Sequence, residues 1–274
     1  MRLYGELPGG LLTQEGVRRD YAFRAADGRL ELCLAEICAS AECMPRAVTH
    51  ALLASLEYLG GLTPDAAMID SLCVADRQYL MRELGRLLGH EGGWYSATCN
   101  LCRARFDFRL DLAELPVKPA GEGYPHARVR IGGHELILRL PCGADQLRLL
   151  GLPTEQRLSA LVRALIVGTD GEGPELGWFE RLDETSIDMI DAALEAVSPA
   201  VVLQVAATCP ECGAHNAVAL DPYGVLARGD AQLLDEVHRI AWHYHWSESQ
   251  ILSLPRARRQ RYLRLIDAER GMVQ

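Results

Sequence analysis

The sequence predicts an α+β protein with two copies of a strand–CxxC–strand unit, an inserted hairpin and helices between them, and a helical module at the carboxyl terminus. The first observation is an internal repeat, because residues 97–102 and 207–212 share the pattern Ala-Thr-Cys-x-x-Cys. The second is the apolar alternation on both sides of Gly132-Gly133, which is typical of a β-hairpin. The third is a series of apolar stripes at helical spacing, above all after Asp221.

Composition excludes several classes of protein. The chain has 274 residues, enough for a sizeable core, and its 49% hydrophobic and 24% charged residues exclude a disordered, collagen-like or coiled-coil protein. A net charge of -9 argues against a protein that coats nucleic acid through its overall field. The first ten residues hold no apolar leader and no apolar run approaches about 18 residues, so we expect neither a secretion signal nor a membrane span.

The first third of the chain predicts a hairpin followed by helices. Apolar residues alternate on both sides of Ala26-Asp27-Gly28, so residues 20–35 are predicted to form a hairpin. Pro45 suits the first turn of a helix, and apolar residues at helical spacing follow it until Gly60-Gly61. The other predicted boundaries here are helix starts near Thr63-Pro64 and Asp76 and a helix end at Gly89.

The middle of the chain alternates between strands and helices. Aromatic and apolar residues around the first CxxC pair predict a strand, a tight turn and a strand over residues 94–110. The hairpin around Gly132-Gly133 covers residues 124–131 and 134–140. The remaining predicted elements are helices over 154–167 and 183–197, a glycine-rich loop over 168–177 and a strand over 201–206.

The repeated unit extends beyond the cysteines. Leu110-Asp111 and Leu220-Asp221 stand at the same distance after the second cysteine of each pair, and the offset between the copies is 110 residues throughout. The chain has nine cysteines, an odd number, and without a secretion signal they are expected to be reduced thiols or metal ligands. The repeat therefore predicts two zinc-ribbon-like knuckles.

Two CxxC turns can bring four thiolates onto one zinc ion in tetrahedral geometry. The predicted ligands are Cys99, Cys102, Cys209 and Cys212. Such a site has no open coordination position, so the metal would contribute folding energy and would not activate a water. Two unrelated CxxC turns or a redox dithiol are the alternatives, but thioredoxin-type motifs open a helix, whereas both pairs here lie between predicted strands.

The other cysteines have no ligand pattern. Cys33, Cys38 and Cys43 recur every five residues, which does not place their side chains on one helical face, and they are interpreted as small buried thiols. Cys73 and Cys142 are interpreted as core residues.

A boundary predicted near residues 222–224 separates a body, residues 1–222, from a carboxyl-terminal docking module, residues 223–274. Ser247-x-x-Gln250 is a capping box that starts a short helix, and Pro255 suits the start of another. The histidines His238, His243 and His245 do not share a helical face and are interpreted as polar residues of an amphipathic helix. The predicted partner-binding residues are Trp242, Tyr244, Trp246, Ile251, Leu254, Arg258, Arg259 and Tyr262. The arginine cluster here would contact phosphates or an acidic helix, or form a solvated face.

Residues 5–221 resemble the baseplate-hub assembly protein family of T-even-like phages and contractile injection systems. The resemblance rests on the order of helical region, CxxC turn, hairpin, helix and second CxxC turn, and on the segment Leu-Arg-Leu-Pro-Cys-Gly-Ala-Asp at residues 138–145. Cys142 departs from the family, which often has threonine or another small residue there. Residues 240–246, with Ile251 and Leu254, separately resemble the short helical motif of phage tail-assembly chaperones.

The resemblance implies a non-enzymatic role in building a contractile tail, at the baseplate hub or on the tape-measure protein. It implies tape-measure, hub or baseplate proteins as partners and a cytoplasmic location during assembly, with the chain either leaving or remaining in the finished particle. The sequence holds no GxSxG, HExxH, P-loop or dinucleotide motif, which agrees with a chain that is not an enzyme. The alternative function is a zinc-ribbon module that binds nucleic acid, which the net charge disfavours.

Overall fold

The computed structural model describes residues 3–90, 92–170, 176–227, 229–269 and 271. These residues form a mixed α+β structure with small antiparallel sheets, which confirms the predicted class. The strands are β1 (Tyr4–Thr13), β2 (Gly16–Phe23), β3 (Leu56–Leu59), β4 (Gly92–Thr98), β5 (Arg105–Asp111), β6 (Val117–Lys118), β7 (His126–Ile131), β8 (His134–Arg139), β9 (Ile166–Asp170), β10 (Ala200–Val201), β11 (Gln204–Thr208) and β12 (His215–Ala219).

The helices account for most of the remaining described residues. They are α1 (Gly28–Ser40), α2 (Met44–Ser55), α3 (Ala66–Ser71), α4 (Val74–Leu87), α5 (Gly143–Leu150), α6 (Thr154–Leu165), α7 (Glu184–Val197), α8 (Ala231–Tyr244), α9 (Glu248–Leu252) and α10 (Arg256–Glu269). A 3₁₀ turn, Leu176–Arg181, precedes α7. Within the described part of the chain, no helix is both long and apolar enough to cross a membrane.

The first core lies between the sheet β1-β2-β3 and helices α1 to α4. Tyr21 and Phe23 of β2 are buried there against Leu52 of α2 and Leu80 of α4. The hairpin predicted over residues 20–35 is wrong, because β2 ends at Phe23 and α1 begins at Gly28. Asp27 caps that helix, since its carboxylate accepts hydrogen bonds from the backbone N–H groups of residues 29 and 30 at 3.0 and 3.1 Å.

Two short strands follow directly after helices that the sequence predicts to be longer. Helix α2 ends at Ser55, and β3 continues as the third strand of the first sheet. Helix α6 likewise ends at Leu165, and β9 pairs with β8. The predicted loop 168–177 therefore starts inside β9, and its residues 171–175 lie outside the described part. The predicted strand 201–206 is divided between β10 and β11, and β10 pairs with β6.

The second core lies between the sheet β7-β8-β9 and helices α6 and α7. The hairpin β7-β8 turns at Gly132-Gly133, as predicted, with Ile131 opposite His134. Leu136 and Leu138 of β8 are fully buried against Val162 of α6 and Ile190 of α7. Both helices thus cover the sheet that lies between the two CxxC turns in the chain.

The two cores meet at a short backbone bridge between residues 72–74 and 141–143. The N–H of Val74 donates to the Pro141 carbonyl at 3.1 Å, and the N–H of Gly143 donates to the Leu72 carbonyl at 3.3 Å. Arg77 is buried beside this bridge with 1% of its surface exposed. Its guanidinium donates to the Pro45 carbonyl at 2.7 Å and to Asp70 and Thr49, so its charge and hydrogen bonds are satisfied inside the protein.

The segment 138–145 is a structural joint in this fold. Asp145 is buried and accepts two hydrogen bonds from the Arg139 guanidinium, at 2.6 and 2.7 Å, and one from the N–H of Cys142 at 3.0 Å. Burial by itself would raise the pKa of Asp145, but these hydrogen bonds lower it below its usual value. The same carboxylate therefore caps α5 and holds the end of β8.

A second buried carboxylate connects α4 to the first strand. Asp76 accepts hydrogen bonds from the N–H groups of Gly9 and Gly10, at 2.9 and 2.8 Å, where the register of β1 shifts. The hydroxyl of Tyr124 donates to the Gly10 carbonyl at 2.7 Å, so the loop before β7 reaches the same point. Burial raises the pKa of Asp76 against the opposing effect of those backbone amides.

The carboxyl-terminal helices α8, α9 and α10 form a core of their own. Ile240, Ile251 and Ile266, one from each helix, are fully buried in it. Leu32 of α1 packs against this core, so the three helices contact the body. Val225 and Leu226, just beyond the predicted boundary, lie in the first core.

Replacing Gly143 by alanine is expected to destabilise the joint between the two cores. A Cβ atom at this position would lie 2.5 Å from Nη1 and 2.6 Å from Cζ of the buried Arg77, whose guanidinium is held by hydrogen bonds to Pro45, Asp70 and Thr49. We expect a loss of about 1–3 kcal/mol in the free energy of unfolding, measured by denaturant titration. Gly151→Ala is the matched control, because its nearest neighbour would lie at 3.7 Å, and equal losses in both variants would contradict the packing described here.

Candidate metal centre

The two CxxC turns are carried by hairpins with the same register. Strand β4 pairs with β5 so that Ala97 faces Phe106, and β11 pairs with β12 so that Ala207 faces Asn216. Both pairs are related by the 110-residue offset found in the sequence. The strand–CxxC–strand prediction is therefore confirmed for both copies.

The hydrogen bonds inside the two turns also repeat. The N–H of Cys99 donates to the Ala104 carbonyl at 2.9 Å, and the N–H of Cys209 donates to the Ala214 carbonyl at the same distance. The residue after each second cysteine has left-handed backbone geometry, with φ of 63° at Arg103 and 73° at Gly213. Glycine adopts this geometry without strain, whereas an arginine there is strained.

The four sulfur ligands predicted from the sequence come together. The Sγ atoms of Cys99, Cys102, Cys209 and Cys212 all lie within 4.8 Å of one another. Two close contacts cross between the turns, with 3.6 Å between the sulfurs of Cys99 and Cys212 and 3.7 Å between those of Cys102 and Cys209. A tetrahedron with metal–sulfur bonds of about 2.3 Å has edges of about 3.8 Å, so the four thiols fit one tetrahedral metal ion.

Each turn contributes one buried and one exposed cysteine to the cluster. The first cysteine of each pair is fully buried, and the second is exposed to solvent. Phe106 and Ala207 pack beside the buried pair, so the inner side of the cluster belongs to a small apolar core. The cluster can therefore hold a metal that is shielded on one side and accessible on the other.

The electrostatics of the cluster favour a cation. The backbone N–H of Cys102 lowers the pKa of Cys99 to about 6. At Cys212 the N–H of Ala214 also lowers the pKa, but the neighbouring thiols outweigh it and raise the value to about 12. The four sulfurs cannot all ionise side by side unless a positive ion balances their charge, and a bound metal provides that charge.

Asn216 is a residue of this site that the sequence analysis missed. It is buried, its side-chain oxygen accepts a hydrogen bond from the N–H of Asn100 at 2.8 Å, and its Nδ2 lies 3.8 Å from the sulfur of Cys99. It thereby joins the second unit to the turn of the first. The signal was available, because the repeat aligns Asn216 with the buried Phe106 and so places a polar side chain at a core position.

The predicted partner-binding residues divide into exposed and internal groups. Trp242 is 71% exposed, and Arg258 is exposed as well. Tyr244, Trp246 and Tyr262 are partly buried and pack on one another, with ring centroids 5.0 to 5.5 Å apart, and Leu254 is also partly buried. The capping box of Ser247 and Gln250 is present at the start of α9.

The prediction that Ile251 and Arg259 contact a partner is corrected by their burial. Both side chains are fully buried within the chain. The guanidinium of Arg259 donates to Glu31 of α1 at 2.7 Å and to Glu236 of α8 at 3.0 Å. Arg259 therefore connects the carboxyl-terminal helices to the body and has no surface to offer a partner.

Removing a buried ligand is expected to abolish metal binding. Cys99→Ser and Cys209→Ser each take one sulfur from a four-sulfur set, so we expect loss of the bound metal and a fall in the melting temperature. Elemental analysis of the purified chain and a thermal melt measure the two effects. Cys38→Ser is the control, since that thiol lies in α1 outside the cluster. Unchanged metal content in both cluster variants would contradict the site.

The left-handed residues of the two turns are expected to respond in opposite directions to substitution. Arg103→Gly removes the strain of a side chain at positive φ and should raise the free energy of unfolding by about 0.5–1 kcal/mol. Gly213→Ala introduces the same strain and should lower it by about 1 kcal/mol. Denaturant titration of the metal-loaded chain measures both, and a change of the same sign in the two variants would contradict the shared geometry.

Comparisons with known proteins found no relative of this chain. The chain matches no protein-family model and no curated protein. It also matches no solved structure. The proposal for its function therefore rests on its own sequence and geometry.

Proposed function

We propose that this chain is a zinc-stapled, non-enzymatic assembly or structural protein of a phage-like contractile tail, acting at the baseplate hub or on the tape-measure protein. The observation that carries the proposal is the four-sulfur cluster, which joins two units 110 residues apart in the chain. Four protein ligands complete a tetrahedral set, so the metal has a structural role and leaves no position for a substrate. The setting in a contractile tail rests on the motif resemblance.

Zinc is the metal that we assign to the cluster. An all-sulfur tetrahedral set is typical of zinc or of iron–sulfur centres, and paired CxxC turns between strands are typical of zinc ribbons. The repeated hairpins are thus interpreted as zinc-ribbon-like knuckles. The bound zinc would make the separation of the two units unfavourable and so keep the body rigid.

The surface proposed to bind the partner lies on α8. Leu234, His238 and Trp242 recur every fourth residue and are exposed, while Leu233, Val237 and Ile240 on the opposite face are buried. An exposed tryptophan with an apolar neighbour on the same helical stripe is the kind of anchor that dominates protein–protein binding. This docking surface, defined as Leu234, His238 and Trp242, replaces the wider set expected from the sequence.

One observation favours the alternative, a module that binds nucleic acid. Trp94 of β4 is 75% exposed and faces Arg109 across the hairpin, and Arg103 and Arg105 are exposed nearby in the chain. Aromatic stacking combined with arginine contacts is typical of single-strand binding. The exposed Asp107 and Asp111 on the same strand offset part of the charge, which is why we place this function second.

Two matched tryptophan variants distinguish the two functions. The tagged chain, Trp242→Ala and Trp94→Ala are purified from the native host, and the eluates are analysed for proteins and for nucleic acid. We expect tape-measure, hub or baseplate proteins with the unchanged chain and with Trp94→Ala, and a loss of at least about tenfold with Trp242→Ala, because a central tryptophan anchor contributes about 2 kcal/mol or more.

The reverse pattern would support the alternative function. Nucleic acid retained with Trp242→Ala, lost with Trp94→Ala and weakened steeply by salt would indicate a binding module. Recovery of tail proteins to the same extent with all three chains would contradict the docking surface on α8.

A further inference from the structure

The bridge between the two cores places two cysteines opposite each other. Cys73 and Cys142 are antiparallel β-bridge partners, and both are buried. They lie in related stretches of sequence, Cys-Val-Ala-Asp at 73–76 and Cys-Gly-Ala-Asp at 142–145. Each is also the N-cap residue of a helix, Cys73 of α4 and Cys142 of α5.

The backbone hydrogen bonds define the kind of pair. The bonds from Val74 to Pro141 and from Gly143 to Leu72 enclose the two cysteines, which themselves exchange no backbone hydrogen bond. Such a non-hydrogen-bonded pair has its Cα atoms about 4.5 Å apart and its side chains close together. Disulfides span Cα separations of about 4.4–6.8 Å, so a pair of this type lies within the range that a disulfide can bridge.

The thiols are held apart by equivalent partners. The Cys142 thiol donates to Asp145 at 3.3 Å, three residues further along the chain. Cys73 stands in the same relation to Asp76, whose pKa the Cys73 side chain lowers by a hydrogen bond. Burial raises the pKa of both thiols, so only a small fraction of each is ionised near neutral pH, and their exchange with an external disulfide becomes faster as the pH rises. Formation of an Sγ–Sγ bond would require each thiol to leave its aspartate.

We propose that Cys73 and Cys142 form a cross-strand disulfide when the protein meets a small-molecule disulfide such as oxidised glutathione. Both S–H bonds break and one Sγ–Sγ bond forms, so the pair gives up two electrons and two protons. The S–S bond of the oxidant accepts them and yields two free thiols, by way of a mixed disulfide on one of the cysteines. Dithiothreitol reverses the reaction.

The crosslink would connect the two cores covalently at their joint. It closes a loop of about 70 residues, which includes the first CxxC turn and the β7-β8 hairpin. Because a closed loop restricts the unfolded chain, the oxidised protein is more stable than the reduced one. The stability of the protein would then depend on the redox conditions around it, independently of the metal.

Peptide mapping tests the proposal directly. The metal-loaded full chain is incubated with oxidised glutathione at pH 8 under native conditions, free thiols are alkylated, and the protein is digested with trypsin. Cleavage after arginine places Cys73 alone in the peptide 47–77 and Cys142 alone in the peptide 140–148. We expect these two peptides linked in the digest, and a rise in the melting temperature of roughly 5–15 °C that dithiothreitol removes.

Serine variants provide the controls. Cys73→Ser and Cys142→Ser should each lose the linked peptides and the rise in melting temperature, and serine is a favoured residue at both N-cap positions. Cys38→Ser should behave like the unchanged chain. The proposal is overturned if the native protein gives no 47–77 to 140–148 linkage, or if that linkage forms only after the chain is unfolded in guanidinium.

Discussion

The four-cysteine cluster is the constraint on which the arrangement of the two CxxC units depends. Each unit contributes two sulfurs and neither could complete a tetrahedral site alone. The chain between Cys102 and Cys209 is therefore a long loop whose ends are fixed at one point, and the sheet β7-β8-β9 with its covering helices α6 and α7 lies within this loop. Closing such a loop without a strong contact at its ends would be entropically unfavourable.

Elsewhere in the molecule, buried charged side chains join helices and strands to one another. Arg77 connects α4 to the start of α2, and Arg259 connects α10 to α1 and α8. Asp145 and Asp76 perform the corresponding task for the end of β8 and for β1. Hydrogen bonds inside the protein satisfy each of these charges, so a variant that removes those partners would leave an unpaired charge in a dry environment, which is strongly destabilising. The contacts between these helices and strands therefore include hydrogen bonds of specific geometry as well as apolar packing.

The parts of the fold that can be predicted from the sequence are those whose pattern lies in adjacent residues. The repeat has identical spacing in both copies, and the β7-β8 hairpin alternates around two glycines, so both were found from the sequence. Strands β3 and β9 were missed because a short apolar run that follows a helix continues the helical pattern, and only pairing with a distant strand decides its structure. Arg259 was placed on the surface for a similar reason, since its partner Glu31 is 228 residues away.

The four-cysteine cluster has the symmetry of a dimer contained in one chain. Its two short sulfur contacts both cross between the units, and each unit supplies one inner and one outer ligand. An isologous interface of this kind requires only that its shared surface remain complementary. The outer faces of the two units do not have to be complementary, and they differ in this chain. Trp94 and Arg109 of one unit stand at the positions of Gln204 and Ala219 of the other. A symmetric joint thus allows the molecule to present two unlike surfaces from one duplicated frame.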